Sequence, residues 1–269
     1  GDEAVEAFSV ATRYEPGRRN GLVGLVWTAI RAGNSTAAAR HSDRLMDLYP
    51  ADRWGRWLRS IVLRRAGQSR QAAGIIRELL ADDPLWYRAN AEAVLLGVPT
   101  RLAGGQRDLP DESTVAASDY LALGLWDDAV TLLGYEDSDE PFSPAVRLAH
   151  LAYAHRRRGD EAAVATVLRQ LARAPVEHAE PWTTASIGFL AELAKAYPDH
   201  AMIRLLLGNV LASRRRLDEA TAAWRKALRG GLEHAVIYRN LAAAAEHLGQ
   251  RDKAIRLYRK AWKLAKGDL

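Results

Sequence analysis

Prolines and glycines in this chain recur at a fixed step. Pro16, Pro50 and Pro84 lie 34 residues apart, and Gly33 and Gly67 keep the same spacing. In the C-terminal part the pairs Leu207 and Leu241, Ala220 and Ala254, Trp224 and Tyr258, and Ala227 and Ala261 are again separated by 34. A period of this size marks an array in which each repeat is one supersecondary unit that cannot bury its apolar face alone and stacks on its neighbours. Apolar positions follow helical spacing, and no stretch sustains the alternation of a half-buried strand, which predicts an all-α chain.

A small residue followed by an aromatic four positions later and an alanine three after that resembles the second helix of the tetratricopeptide repeat, which often ends before a proline. Ala4, Phe8, Ala11 and Pro16 stand in those places at the N-terminus. Small side chains let two helix axes approach, and the aromatic fills the gap to the next pair. The resemblance implies a right-handed α-solenoid of antiparallel helix pairs. The predicted units run over a partial one at 1–18, then 19–52, 53–86, a single degenerate helix at 87–98, 110–143, 145–178, 201–234 and 235–268. Pro99, Gly104, Gly105 and Pro110 predict a loop over 99–110, with Asp111 capping the helix that follows and Pro141 closing that unit. Pro181 and Pro198 bracket another single helix, expected from about Pro181 to Tyr197. The expected organisation is N-terminal repeats 1–98, the loop, and C-terminal repeats 111–269, forming one continuous solenoid.

Three segments carry a narrower resemblance: Asp83–Gly97, Ser118–Leu133 and Ile203–Leu228. They look like the tail of large bacterial proteins that join an N-terminal β-sandwich region, similar to galactose-mutarotase-like carbohydrate domains, to C-terminal tetratricopeptide helices. That resemblance implies a helical support or recruiting arm beside any sugar chemistry carried elsewhere.

Apolar residues make up 48% of the chain and charged residues 26%, which fits a folded array and excludes wholesale disorder. The 38 basic and 33 acidic residues are interspersed, so the formal charge of +5 forms no single basic block of the kind that nucleic acid demands. With no cysteine, disulfides and thiolate metal sites are excluded. The longest apolar run, Leu22 to Ile30, is far shorter than the roughly 20 residues a bilayer needs. A cytoplasmic location without membrane contact is the expectation. The chain opens on Gly1 inside a predicted helix, which suggests a segment of a longer protein.

The tetratricopeptide resemblance implies that first helices line a concave groove, where Trp27, Arg31, Trp54, Trp57, Arg64 and Arg65 would stand. Aromatic and guanidinium groups so placed can stack on a sugar or base or receive a peptide; the same tryptophans can instead fill the seam between helices. Near the C-terminus, Asn209 and Asn240 match the two asparagines with which some tetratricopeptide domains hold a peptide backbone below its terminal carboxylate. Leu205 stands where such domains carry a lysine, and Arg239 offers a guanidinium in compensation. His150, Tyr153 and Arg157 share a helix face at spacings of three, four and seven. Arginine triplets at 156–158 and 214–216 precede turns, where cations complement the helix dipole.

Catalytic patterns are missing. The chain has no H-E-x-x-H, no G-x-S-x-G and no phosphate-binding glycine loop after a strand, and its seven histidines lack metal-ligand spacing. Acid pairs such as Asp82-Asp83 and Asp127-Asp128 fall at helix boundaries, where they cap. The expectation is a non-catalytic scaffold, without cofactor or metal, that binds a peptide, a protein or a neighbouring domain, with self-association open. The alternative is the helical part of a bacterial carbohydrate-active enzyme whose catalytic region lies elsewhere.

Overall fold

The computed structural model describes residues 2–100, 112–134, 144–177, 179–181 and 183–266. Among them lie fifteen α-helices and no strand. They fall into two compact units, Gly1–Asp139 and Glu140–Leu269.

The first unit contains α1 (Asp2–Ala11), α2 (Glu15–Arg31), α3 (Ser35–Leu48), α4 (Arg53–Arg65), α5 (Ser69–Asp82), α6 (Tyr87–Leu96), α7 (Glu112–Leu123) and α8 (Trp126–Gly134). Helices α2 and α3, α4 and α5, and α7 and α8 form hairpins, and α6 is a single helix packed on α4, α5, α7 and α8. Pro16 does not close the first repeat as its spacing suggests. It occupies the first turn of α2, where its missing N–H costs no hydrogen bond, so that helix starts at Glu15 rather than after residue 18.

The second unit contains α9 (Pro144–Arg158), α10 (Glu161–Leu171), α11 (Ala185–Ala196), α12 (Ala201–Ser213), α13 (Leu217–Arg229), α14 (Ala235–His247) and α15 (Arg251–Ala265). Its hairpins are α9 with α10, α12 with α13 and α14 with α15, and α11 is the unpaired helix between them, resting on α9 and α12. Helix α11 begins four residues later than Pro181 predicts; Pro181 itself is buried, and Thr183 Oγ1 lies 2.8 Å from Ser186 Oγ across the first turn.

Local chemistry explains the hairpins. Asn34, Asp52 and Asp160 each accept a backbone N–H three residues on, capping α3, α4 and α10. Between paired helices the chain turns through a left-handed residue, and Gly33, Gly67, Gly124, Gly159 and Gly249 supply it. The α12–α13 turn differs, because Arg215 takes that conformation with φ of 61°. The seams are close. A Cβ on Gly24 would strike the Phe8 ring, and one on Gly208 would strike the Trp224 indole, which ties the α1–α2 and α12–α13 pairs to one separation. Ala220 and Ala227 on α13 and Ala254 and Ala261 on α15 are buried at the same kind of contact.

The loop expected over 99–110 and the glycine pair inside it lie almost wholly outside the described residues, as do Asp111 and Pro141. No helix among the described residues is long and apolar enough to cross a membrane.

Candidate functional site

In the second unit, α12 and α14 each present an asparagine at mid-helix. Asn209 Oδ1 accepts two N–H groups, from Trp224 Nε1 at 2.9 Å and from Asn240 Nδ2 at 3.1 Å. Its own Nδ2 donates to the Ala179 carbonyl at 2.6 Å. Asn240 Oδ1 in turn accepts from Arg239, at 3.3 Å from Nε and 3.2 Å from Nη2. Each amide carries two N–H bonds, and only one of each pair is engaged in this chain of contacts. The two carboxamides are thus held in orientation before any ligand arrives, and each keeps a donor to offer.

They face a groove of about 810 Å³ whose walls include Ala212, Ala243, Trp224 and His247. Alanines keep that wall low, so an extended backbone can come within reach of the amides. Arg214 and Arg215, at the C-terminal end of α12, and His247, the last residue of α14, line the groove with basic side chains that outnumber the one carboxylate there, Glu180. Arg216 turns away, paired with Glu219 at 2.6 Å. Arg239 borders a separate cleft of about 940 Å³ beside α15, together with His234, Tyr258 and Trp262. A non-glycine residue in the left-handed region is strained, and Arg215 is the described residue that carries such strain, at the rim of this groove.

The remaining candidates have different surroundings. Trp57 has no exposed surface: Trp27, Trp54 and Tyr120 surround it at centroid distances of 6.2, 5.9 and 6.2 Å. Trp54 is half-buried, and the Arg88 guanidinium covers its ring at 4.0 Å. Trp57 presents no open face on which a sugar could stack, and Arg88 occupies one face of Trp54. Trp27 is half-buried, and Arg31 and Arg65 are exposed at the ends of α2 and α4.

Arg64 is committed inside the first unit. Its Nε and Nη2 meet Glu92 at 2.7 and 3.3 Å, and its Nη1 and Nη2 meet Asp128 at 3.0 and 2.9 Å. Glu92 has no exposed surface and also accepts the Tyr120 hydroxyl at 2.6 Å. Burial pushes the Glu92 carboxyl above the usual carboxylate range, and Arg64 and Tyr120 offset that only in part. Arg88 donates to Asp119 at 3.2 Å, a second half-buried pair. Sequence reasoning missed Glu92, Asp119 and Asp128 as partners. The available signal was the acid in the Ala-rich stretch Ala89–Ala93 of α6, a placement that demands a buried cation.

His150 and Tyr153 are core residues of the second unit. His150 Nδ1 lies 2.7 Å from the Val146 carbonyl and Nε2 3.2 Å from Ser186 Oγ, a pattern that assigns the proton to Nδ1. Burial holds its pKa below the ordinary histidine value. Tyr153 stacks on Phe189 at 4.7 Å. Arg157 is exposed and pairs with Glu192 at 3.3 Å. The three residues share α9, yet two face inward. Among the described residues no group of three or more His, Cys, Asp or Glu is placed to hold a metal.

No family model matches the chain, and no curated protein does. Solved structures similar to it include MamA, at 17% identity over 78% of this chain and 95% of that one, with a TM-score of 0.33. YrrB, described as a TPR protein with an unusual peptide-binding site, shares 12% identity over 83% and 91% at a TM-score of 0.31. The pilF protein of Pseudomonas aeruginosa shares 12% over 89% and 88% at 0.28. What this chain's own residues establish is an all-α fold of stacked helical hairpins with a 34-residue sequence period.

Proposed function

We propose that this chain is a non-catalytic interaction scaffold whose second unit binds an extended peptide in the α12–α14 groove. The observation that carries the reading is the pre-oriented carboxamide pair, Asn209 and Asn240, fixed by Trp224 and Arg239 above a low alanine wall. Carboxamide donors at that position suit backbone carbonyls, which every peptide has. The basic margin of Arg214, Arg215 and His247 favours a peptide bearing a carboxylate, whether side chain or terminus. The strain at Arg215 supports the same reading: a glycine would make this turn without cost, whereas the arginine places a guanidinium at the rim. No cofactor takes part.

Selection of displayed peptides against the full chain, followed by calorimetric titration of the selected sequences, tests this. Expected are acidic or carboxylate-ended peptides that lose at least tenfold in affinity on Asn240→Ala and several-fold on Arg215→Gly. Peptides that bind Asn240→Ala as tightly as the parent chain remove the groove assignment. A neighbouring domain of a longer protein is the intramolecular version of the same ligand. The carbohydrate-active alternative gains no support from Trp57, which is buried, or from the Trp54 face that Arg88 occupies.

A further inference from the structure

The large apolar side chains left exposed are not scattered. Of the nine among the described residues, Val5, Val10 and Tyr14 lie on or just after α1, and Ile255, Tyr258 and Trp262 lie on α15, so two short segments hold most of the uncovered apolar surface. Isolated exposed apolar residues need no explanation, but clusters mark contact surfaces. On α15 the three are spaced i, i+3 and i+7, which makes one continuous stripe, and Trp262 is 64% exposed. Arg259, Lys263 and Lys266 edge that stripe, and Tyr258 and Trp262 also line the 940 Å³ cleft. On α1 the exposed residues Glu3, Ala7 and Val10 are spaced i, i+4 and i+7 with Glu6 beside them, whereas Val5 lies off that face and Tyr14 follows the end of the helix.

The two faces have opposite charge. Helix α15 carries six basic residues against one acid, and α1 carries three acids and no base. Pairing α15 with a second α15 would bring like charges together around the tryptophans, and pairing two α1 faces would do the same with carboxylates. A contact between unlike faces instead buries the α15 stripe against Ala7 and Val10 of α1 and sets the carboxylates of one rim beside the cations of the other.

We infer that copies of this chain associate heterologously, the outer face of α1 on one copy docking on the Ile255–Tyr258–Trp262 stripe of α15 on the next. Such a contact leaves one face of each kind unused, so it propagates to chains of copies unless its rotation happens to close a ring. Two helix faces bury less than a standard interface, so the association is weak and reversible. Its charged rims are exposed and screened by salt. It uses neither asparagine of the groove, so it stands apart from the peptide-binding proposal.

Sedimentation velocity of the full chain over rising concentration tests this at low and high salt. Expected is a weight-average mass that climbs past the dimer at low salt and falls back in 0.5 M salt. Glu3→Lys with Glu6→Lys should return the chain to monomer, as should Arg259→Glu with Lys263→Glu. Mixing the two reversed proteins should restore assembly, because the unaltered acidic α1 of one meets the unaltered basic α15 of the other and, at the remaining contact, the new lysines face the new glutamates; this recovery also shows that both variants are folded. A parent chain that stays monomeric throughout overturns the inference. So does association that survives either reversal, which would indicate like-face pairing, or a mixture that fails to reassemble.

Discussion

The two units solve the same packing problem with different chemistry. In the first, paired helices are joined by an aromatic cluster around Trp57 and by the buried Arg64, Glu92, Asp128 and Tyr120 contacts. In the second, alanines and leucines form most of the seam, and the polar groups are neutral, an amide chain through Asn209 and Asn240 and a neutral imidazole at His150. The difference teaches where a ligand can enter. The ions of the first unit satisfy one another, whereas the amides of the second each keep a donor and line an open groove.

Four measurements would break or sharpen this contrast. Glu92→Ala leaves the Arg64 guanidinium largely buried with one partner fewer, and breaking such a pair should cost about 3–5 kcal/mol. Denaturant unfolding with amide hydrogen exchange would read the loss, concentrated in α4, α6 and α8; an effect below 1 kcal/mol would mean that the cluster is hydrated. In the second unit, Ala220→Leu should cost about 1–3 kcal/mol by overpacking the α12–α13 seam, with exposed Ala222→Leu as the neutral control; equal melting curves for both would mean that Ala220 does not sit in a close seam.

A smaller effect is a contrast in pH response. Glu92 has a raised value in the folded state, so the stability it contributes is present below the unfolded value near 4.5 and lost as pH rises through the folded one. His150 has a lowered value, so its contribution is present above 6.5 and lost as pH falls. One proton bounds either slope at about 1.4 kcal/mol per pH unit. The parent chain should therefore gain stability over Glu92→Gln on acidification and lose it relative to His150→Gln. Parallel difference curves would contradict the burial of one or both groups. The smallest effect belongs to Arg215→Gly, which should stabilise the second unit by about 0.5–1 kcal/mol by relieving the left-handed backbone while weakening capture of an acidic peptide; a destabilised variant would mean that the arginine side chain anchors the turn.

How much of this the sequence carried depends on what each signal encodes. Spacing located the hairpins, because turn residues and seam alanines obey backbone geometry that any sequence must satisfy; Ala220, Ala227, Ala254 and Ala261 are all buried where the 34-residue step puts them. Helical spacing also groups residues on a face, as with His150 and Tyr153, but it does not say which neighbour covers that face, and Phe189 from α11 does. Arg64 shows the same limit across 64 residues, the separation from Asp128. The asparagine pair was visible through its match to the two asparagines of peptide-holding tetratricopeptide domains, whereas Trp224 as its anchor was hidden behind its role as a seam aromatic.

The linked ions of the first unit also constrain how that unit can change. Removing Arg64 leaves two carboxyls without their cation, and removing Glu92 or Asp128 takes one of the guanidinium's two partners, yet replacing the set together with apolar groups of matching volume can be neutral. Single substitutions there lead downhill while a concerted change does not. Drift through one-residue steps should therefore bypass these positions and accumulate instead among the exposed side chains around them.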